Sequence, residues 1–350
     1  MTTKRILAVV LFLLLAAAAV YAYTHGISFD FRAFLRQLRL ISLRHFLVAV
    51  ALIYVSYFVR SYRWAIFLRA HKKVGPLTLL GSQFIGFTAV ALFGRIADLS
   101  RPFLVARKTQ MELSLQVAVY TVERMFDLGA AALIFSTSLA LMPSTMPHHE
   151  IFVRVGVLSL AGTLFLAAFC VAMRIAGVKL AAIFGRLAGM LSPKFGAVLE
   201  AKLLGFRDGL NAVSSIQDFL VSAALSIAVW LLIAFAYVET THAFVAEPTL
   251  ANLSFSRTML LMAASIGGSL LQLPIIGWFT QIAATAAAMH GFYGSPLEPA
   301  TACGALLLVV TSISIIPVGV IYARVDRVSF GELARGERAV EQSQADERVH

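Results

Sequence analysis

FLVSAALSIAVWLLIAFAYV, the run from Phe219 to Val238, decides the fold class of this 350-residue chain. The run contains no charged side chain. Twenty residues of α-helix extend about 30 Å, which is the thickness of the hydrocarbon core of a bilayer. It therefore predicts a transmembrane helix, because a helix satisfies its backbone hydrogen bonds within a single crossing segment.

The whole composition agrees with that prediction. Hydrophobic residues make up 59% of the chain and charged residues 13%, against about 25% charged residues in soluble domains. Disorder, secreted disulfide scaffolds and basic soluble nucleic-acid-binding domains are excluded. Cys170 and Cys303 lie in apolar runs without metal-ligand spacing, so we expect no disulfide framework, metal or cofactor.

Six runs are long and apolar enough to cross a membrane, which predicts an all-α polytopic protein with one integral membrane domain, residues 1–322. The first run resembles a signal peptide, but the spans that follow favour an uncleaved signal anchor. Residues 323–350 are predicted to be a disordered, charged cytoplasmic tail. The six runs are Ile6–Tyr23, His45–Leu68, Ser114–Met142, Val155–Met173, Phe219–Val238 and Ala300–Tyr322.

Two further apolar stretches are predicted to form re-entrant or broken hairpins. Leu77–Gly94 is long enough to cross, but both of its flanks are basic. Thr258–Tyr293 has no charged residue, but Pro274 and Gly277 divide it into legs too short to cross. Interrupted segments of this kind occur where protein or a water-filled cavity covers the backbone.

The net charge of +11 is unevenly distributed along the chain. If residues 1–5 and 323–350 and the loops 60–76, 95–112 and 174–215 are cytoplasmic, 22 of the 29 Lys and Arg residues lie on that side, and the opposing loops 143–150, 239–252 and 291–299 have none. This is the positive-inside pattern of a bacterial inner-membrane protein with both termini in the cytoplasm. The hairpins would then enter from opposite faces, as in an inverted repeat. Only segment 24–45, with Arg32, Arg36, Arg39 and Arg44, departs from the pattern. Within it, residues 28–45 predict an interfacial amphipathic helix on the outer surface.

Charged residues at membrane depth are functional candidates, because burying them in a bilayer is costly. In the run Gly94–Pro102, Asp98 stands three residues from both Arg95 and Arg101. The surplus positive charge suits an anionic lipid headgroup, since arginine binds phosphate through its planar guanidinium. An interfacial salt-bridge cluster that anchors a helix end is the alternative.

A second group, Glu123, Arg124 and Asp127, interrupts an apolar helix. Its carboxylates would pair with Arg95 or Arg101, either tuning a binding site or forming a structural network. Arg60, Arg63 and Trp64 share one helix face and are typical of snorkelling anchors and an aromatic belt. Of these, Arg63 joins Arg95, Asp98 and Arg101 as a candidate headgroup ligand.

The second hairpin supplies the remaining candidates. Pro274, Gly277 and Gln281 would form a bend whose backbone groups face an anionic ligand, or a kinked span in which the glutamine bonds to a neighbour. No phosphate-binding glycine loop, nucleophile elbow or metalloprotease motif occurs, so the chain is not expected to be an enzyme.

Four motifs in order give the sequence a family resemblance: Arg63-Trp64, Gly94–Pro102, Glu123–Asp127, and Pro274 with Gly277 and Gln281. The chain resembles the transmembrane region of lysylphosphatidylglycerol synthases, a flippase-like family. The resemblance implies a polytopic inner-membrane protein that moves lipids, without the soluble aminoacyltransferase domain of the bifunctional synthases.

Several positions depart from the family pattern. Phe93 stands where the family has proline, Ala97 replaces a glycine and Asp98 replaces a glutamate, keeping the charge. Gln281 replaces a glutamate, which puts proton coupling at that position in doubt.

The sequence therefore predicts a translocase for an anionic or phosphate-bearing lipid, with membrane lipids as partners and no nucleic acid. Two alternatives remain open. One is an intramembrane enzyme acting on lipid or polyprenyl phosphates. The other is a non-transporting accessory subunit that partners lipid-biosynthesis enzymes, for example of hopanoids or glycolipids.

Overall fold

The structure, a computed structural model, describes residues 29–190, 192–210, 215–269 and 276–330. Every regular element within these ranges is helical, which confirms the predicted all-α class. The predicted first span Ile6–Tyr23, the predicted bend residue Pro274 and residues 331–350 of the predicted tail lie outside the described residues.

Two short turns connect consecutive helices: a 3-10 turn, Arg95–Leu99, precedes the helix that starts at Ser100, and a π-helical turn, Val309–Ile313, follows the helix that ends at Leu308. In chain order the helices are α1 Phe31–Arg39, α2 Leu43–Leu68, α3 Pro76–Phe93, α4 Ser100–Thr109, α5 Leu113–Ala140, α6 His149–Gly189, α7 Pro193–Leu210, α8 Ile216–His242, α9 Pro248–Ala251, α10 Phe255–Ser269, α11 Ile276–Tyr293, α12 Leu297–Leu308 and α13 Ile316–Val325.

Five of the described helices are long and apolar enough to cross a membrane: α2, α3, α6, α8 and the continuous stretch Leu297–Val325. Four of the predicted crossings fall within this set. A fifth predicted crossing, Ser114–Met142, corresponds to the 28-residue helix α5. This helix is long enough to cross, and it is absent from the set of five only because it contains three charged residues. The protein is a multi-pass α-helical membrane protein.

Contacts between helix ends divide the molecule into two faces. At the first face, Arg69 pairs with Asp218 at 3.1 Å, and Lys108 pairs with Asp326 at 2.7 Å. These contacts gather the ends of α2, α4 and α13 beside the start of α8. At the second face, the Ser42 amide donates to the Ala243 carbonyl at 2.8 Å, joining the start of α2 to the end of α8.

The first hairpin differs from its prediction in extent. Leu77–Gly94 contains no bend; it is the single helix α3, which ends where Gly94 adopts a positive φ of 84°, a conformation that favours glycine. The chain turns through Arg95–Leu99 and returns as α4. Lys72 donates to the Thr109 carbonyl at 2.8 Å, so both ends of this hairpin lie at the first face. The first hairpin is therefore residues 76–109, and 95–109 is part of it rather than a cytoplasmic loop.

The second hairpin is formed by α10 and α11, as the Pro/Gly interruption of Thr258–Tyr293 predicts. Its legs pack side by side, with Gly268 against the backbone of Thr280 and Gln281. At its base, the Tyr293 hydroxyl donates to the Arg257 carbonyl at 2.8 Å. Arg257 also contacts Thr145 at 2.6 Å, which places this base at the second face.

The two halves have the same order of elements in opposite directions. Helix α2 ends at the first face, the first hairpin enters there, and α5 leaves it. Helix α8 ends at the second face, the second hairpin enters there, and α12–α13 leaves it. This is the topology of an inverted repeat, with α2 packed directly on α8.

Two surface segments complete the fold. The predicted amphipathic segment forms α1, whose Phe34 and Leu38 pack against the core while its three arginines are exposed. The stretch 174–215, predicted to be a cytoplasmic loop, is largely helical where the structure describes it and contains the end of α6 and all of α7.

Candidate functional site

Helix α2 places two arginines in the protein interior near its first-face end. Arg60 and Arg63 are three residues apart, so they share one side of the helix, and that side packs towards α5 and α8. Arg63 has no exposed surface, and Arg60 is 7% exposed. Trp64 is also fully buried. The interpretation of these three residues as snorkelling anchors is wrong, because acidic partners on α5 hold the arginines inside.

The acidic partners are Glu123 and Asp127, one helical turn apart on α5. Arg63 Nη2 donates to Glu123 Oε1 at 2.8 Å, and its Nη1 donates to Asp127 Oδ1 at 2.6 Å. The Ser226 hydroxyl of α8 accepts a further bond from Arg63. Arg60 Nη1 lies 3.2 Å from Asp127 Oδ2. A single guanidinium therefore bridges two carboxylates, and α2, α5 and α8 are held together by it.

The first hairpin contributes Arg101, which is also fully buried. Its Nε lies 3.0 Å from Asp98 Oδ1, and its Nη1 lies 3.0 Å from Glu123 Oε2. The guanidinium stacks over Phe87 at 4.5 Å and Tyr120 at 5.1 Å, measured to the ring centroids. Such cation–π contacts favour a desolvated arginine.

Glycine makes room for the Arg101 side chain. A β-carbon added at Gly86 of α3 would collide with Arg101 Cγ. Helix α4 can therefore pack this closely against α3 because Gly86 has no side chain.

Arg124 differs from the other arginines of this group. Its side chain is 35% exposed, and its guanidinium lies 3.6 Å from Glu123, 3.5 Å from Asp127 and 3.9 Å from Asp98. These separations exceed normal hydrogen-bond lengths. Asp98, 21% exposed at its side chain, accepts a bond from the Tyr120 hydroxyl at 2.6 Å.

We refer to these residues together as the ion cluster; it consists of Arg60, Arg63, Asp98, Arg101, Glu123, Arg124 and Asp127. Four guanidinium groups face three carboxylates, which leaves one positive charge in excess. The excess can be assigned to Arg124, because the other three arginines each hold a carboxylate at hydrogen-bond distance. Arg95 lies in the adjoining 3-10 turn, and its side chain is outside what the structure describes.

The second hairpin lies outside the ion cluster. Gln281 Nε2 donates to the Ser265 hydroxyl at 3.0 Å, and Tyr237 donates to the same oxygen. The glutamine thus bonds to Ser265 on the other leg of the same hairpin. Gly277 is buried near the hairpin tip.

The two hairpins meet near their tips. Trp278 Nε1, at the start of α11, donates to the Ala91 carbonyl near the end of α3 at 3.1 Å. Helices that enter from opposite faces are therefore in contact inside the protein.

The structure brings together Arg63, Asp98, Arg101, Glu123, Arg124 and Asp127 from the predicted candidates. It adds Arg60, Tyr120, Ser226 and Gln83, whose Oε1 lies 3.4 Å from Arg101 Nη1. Arg60 and Arg63 are three residues apart, and Glu123 and Asp127 are four apart, so each pair lies on one face of its helix. The sequence therefore already indicates that two arginines of one helix can face two carboxylates of another. Nothing in the sequence distinguishes Ser226 or Gln83. Among the described residues, no group of His, Cys, Asp and Glu side chains could hold a metal ion.

The model of the lysylphosphatidylglycerol synthase transmembrane region matches residues 5–320. The chain belongs to this family. Membership associates it with membrane proteins of lipid metabolism or translocation. No curated protein and no solved structure matched the chain.

Three of the four motifs that carry the family resemblance converge in space. Arg63-Trp64, the turn of the first hairpin and Glu123–Asp127 are far apart along the chain, and all contribute to the ion cluster or its support. Asp98, where the family pattern has glutamate, still reaches Arg101 and Tyr120. The shorter carboxylate therefore preserves the ion pair.

Proposed function

We propose that this protein is a lipid translocase of the bacterial inner membrane, which moves an anionic or phosphate-bearing lipid between leaflets. Family membership, the inverted topology and the two hairpins that meet inside the protein support this proposal. Transporters commonly bind their substrates where such interrupted helices meet. The positive-inside pattern supports a cytoplasmic position for the first face.

The observation that carries the proposal is the position and pairing of Arg124. It stands eleven residues after the start of α5, which corresponds to about 17 Å of helix. A cation at such depth is costly unless it is paired, and Arg124 has only loose ion pairs and a cation–π contact with Tyr120 at 5.1 Å. Its side chain remains partly exposed, and a lipid phosphate that reached it would add a hydrogen bond to the guanidinium.

The other arginines take a supporting role in this proposal. Arg63 and Arg101 have no exposed surface and are bonded to carboxylates. A headgroup could bind them only after displacing Asp98, Glu123 or Asp127. We therefore assign headgroup contact to Arg124, with Asp98 at the edge of the site, and assign Arg63 and Arg101 to holding the cluster in place. Arg95 remains a candidate second ligand.

The proposal is tested by reconstituting the purified protein into vesicles that carry a fluorescent phospholipid in both leaflets. Dithionite bleaches only the outer leaflet, so bleaching beyond one half reports translocation. We expect fluorescent phosphatidylglycerol to cross faster than fluorescent phosphatidylcholine, because the excess charge of the cluster is positive.

Protein-free vesicles and vesicles with heat-denatured protein serve as controls. If neither lipid crosses faster with the native protein than in these controls, the proposal is wrong. An accessory or enzymatic role would then be the better account.

A further inference from the structure

The end of α6 and the helix α7 form a unit that the ion cluster does not involve. Helix α6 has 41 residues, and Ala176 interrupts it with φ −124° and ψ 22°. We call residues 177–189 and Pro193–Leu210 together the surface hairpin. It is joined to the preceding part of α6 only through this interruption and through packing.

The bend at Ala176 is sharp. Phe169 and Phe184 are fifteen residues apart on α6, which is about 22 Å along a straight helix. Their ring centroids are nevertheless 6.4 Å apart. Phe206 of α7 also stacks on Phe169, at 6.3 Å. The surface hairpin is thus folded back against the first part of α6 instead of continuing away from it.

The length of the first part of α6 places the bend at the membrane surface. Residues 149–175 start at the second face, beside Thr145 and the base of the second hairpin, and extend about 40 Å. The hydrocarbon core is about 30 Å thick. The bend therefore lies beyond the hydrocarbon at the first face, and the hairpin that folds back from it lies along that boundary.

Within the hairpin, small residues face inward. Gly177 lies against Arg207, and Gly185 lies against Glu200. Ala181 and Ala188, which share this stripe, are buried. The two helices are therefore closely packed on one another through one side only.

The outward side is apolar. Ile183, Leu187 and Met190 follow one another at helical spacing and are 51%, 56% and 83% exposed. Phe195 and Val198 of α7 are about half exposed as well. A contiguous apolar surface of this kind marks a contact with lipid or another protein.

Basic residues border the apolar side. Lys179 and Arg186 are seven residues apart, two helical turns, and lie next to the stripe of Ile183 and Leu187. Lys194 and Lys202 are exposed on α7. In the part of the chain that the structure describes, none of these four side chains forms an ion pair. An apolar stripe flanked by lysine and arginine is the pattern of a helix that lies in an anionic membrane surface.

We propose that the surface hairpin lies in the plane of the membrane at the first face, with Ile183, Leu187 and Met190 among the acyl chains. Lys179, Arg186, Lys194 and Lys202 then bind the phosphates of anionic phospholipids. The occupant of this surface is lipid, because the bend holds the hairpin at the hydrocarbon boundary and four exposed basic side chains border its apolar stripe.

The depth of the hairpin is tested by spin labelling the full chain in vesicles that contain phosphatidylglycerol. Leu187→Cys is labelled in a Cys170→Ser, Cys303→Ala background. Leu164→Cys, on the exposed mid-part of α6, provides the lipid reference, and Gln110→Cys, on an exposed turn, provides the water reference. We expect the Leu187 label to be accessible to oxygen and shielded from a soluble nickel chelate, like the Leu164 label. Nickel accessibility equal to that of the Gln110 label would overturn the proposal and indicate a solvated surface for a protein partner.

Headgroup binding is tested with spin-labelled phosphatidylglycerol and phosphatidylcholine around the reconstituted protein. Each basic residue near an anionic surface contributes roughly a five-fold factor in affinity. Replacing Lys179, Arg186, Lys194 and Lys202 by glutamine should lower the preference for phosphatidylglycerol at least about ten-fold. The matched control, Lys179→Arg with Lys194→Arg and Lys202→Arg, keeps the charge and should keep the preference.

An unchanged preference in the glutamine variant would refute the headgroup contacts. Both measurements report position and binding rather than transport, so they remain decisive whether or not the protein translocates lipid.

Discussion

At the residue scale, Arg63 joins three of the helices around the ion cluster. It binds Glu123 and Asp127 on α5 and Ser226 on α8, and it has no contact with solvent. Removing one partner of a buried ion pair leaves an uncompensated charge, and this costs about 3–5 kcal/mol.

Arg63→Ala should therefore lower the free energy of unfolding by about 3–5 kcal/mol, measured by denaturant titration in mixed micelles. Arg69→Ala is the matched control, since Arg69 pairs with Asp218 at the surface with 47% of its side chain exposed. That variant should lose no more than about 1 kcal/mol. Equal losses in the two variants would contradict the structural role of Arg63.

Gly86 permits a second prediction at this scale. In Gly86→Ala the new methyl group would displace Arg101 from Phe87 and Glu123. We expect a loss of about 1–3 kcal/mol in unfolding free energy from overpacking, together with slower lipid translocation.

Gly129→Ala is the control, because the space around that position on α5 is open. It should be neutral or stabilising by up to about 1 kcal/mol, since alanine favours helix more than glycine does. If Gly86→Ala is equally well tolerated, the close packing of Arg101 on α3 is not required for stability.

The sequence reveals the members of the ion cluster better than it reveals their roles. Charged residues within apolar runs identify Asp98, Arg101, Glu123 and Asp127, because such residues need partners in a membrane. Which arginine remains loosely paired depends on how four separate helices approach one another. In the sequence around Asp98, the positive charge of Arg101 is in excess. In the structure this charge is paired with Glu123, which lies twenty-two residues later.

At the element scale, the two hairpins enter from opposite faces and meet through Trp278 and Ala91. The second hairpin is predictable because Pro274 and Gly277 interrupt its apolar run. The first is only partly predictable, since α3 is a continuous apolar helix and its turn lies in a charged segment. Hydropathy alone treats Leu77–Gly94 as a complete unit, but the antiparallel contacts of α4 make it one leg of a longer hairpin.

The hairpin assignment makes a topological prediction. Cysteines at Lys72 and Gln110, on either side of the first hairpin, should react with a membrane-impermeant maleimide from the same side of oriented vesicles. A cysteine at Thr145 should react only from the other side. Labelling of Lys72→Cys and Gln110→Cys from opposite sides would mean that α3 crosses the membrane fully and that α4 does not return.

At the scale of the whole molecule, the inverted topology places the ion cluster beside the first hairpin and leaves the second hairpin with neutral partners. Gln281, Ser265 and Tyr237 form hydrogen bonds there without a charge. The two halves are thus alike in topology and different in electrostatics. We infer that the headgroup is recognised in the first half, near Arg124.

The central claim is that Arg124 contacts the lipid while the rest of the ion cluster supports it. The most direct test is the rate at which fluorescent phosphatidylglycerol crosses proteoliposomes, expressed per folded molecule, for Arg124→Gln. Arg154→Gln, which alters an exposed arginine on α6, is the control. A charge-assisted hydrogen bond to phosphate is worth about 1.5–3 kcal/mol, which corresponds to roughly a ten- to hundred-fold factor. We predict a decrease of about ten-fold or more for Arg124→Gln, with unfolding unchanged, and a normal rate for Arg154→Gln. Equal rates for Arg124→Gln and the unmodified protein would contradict the claim.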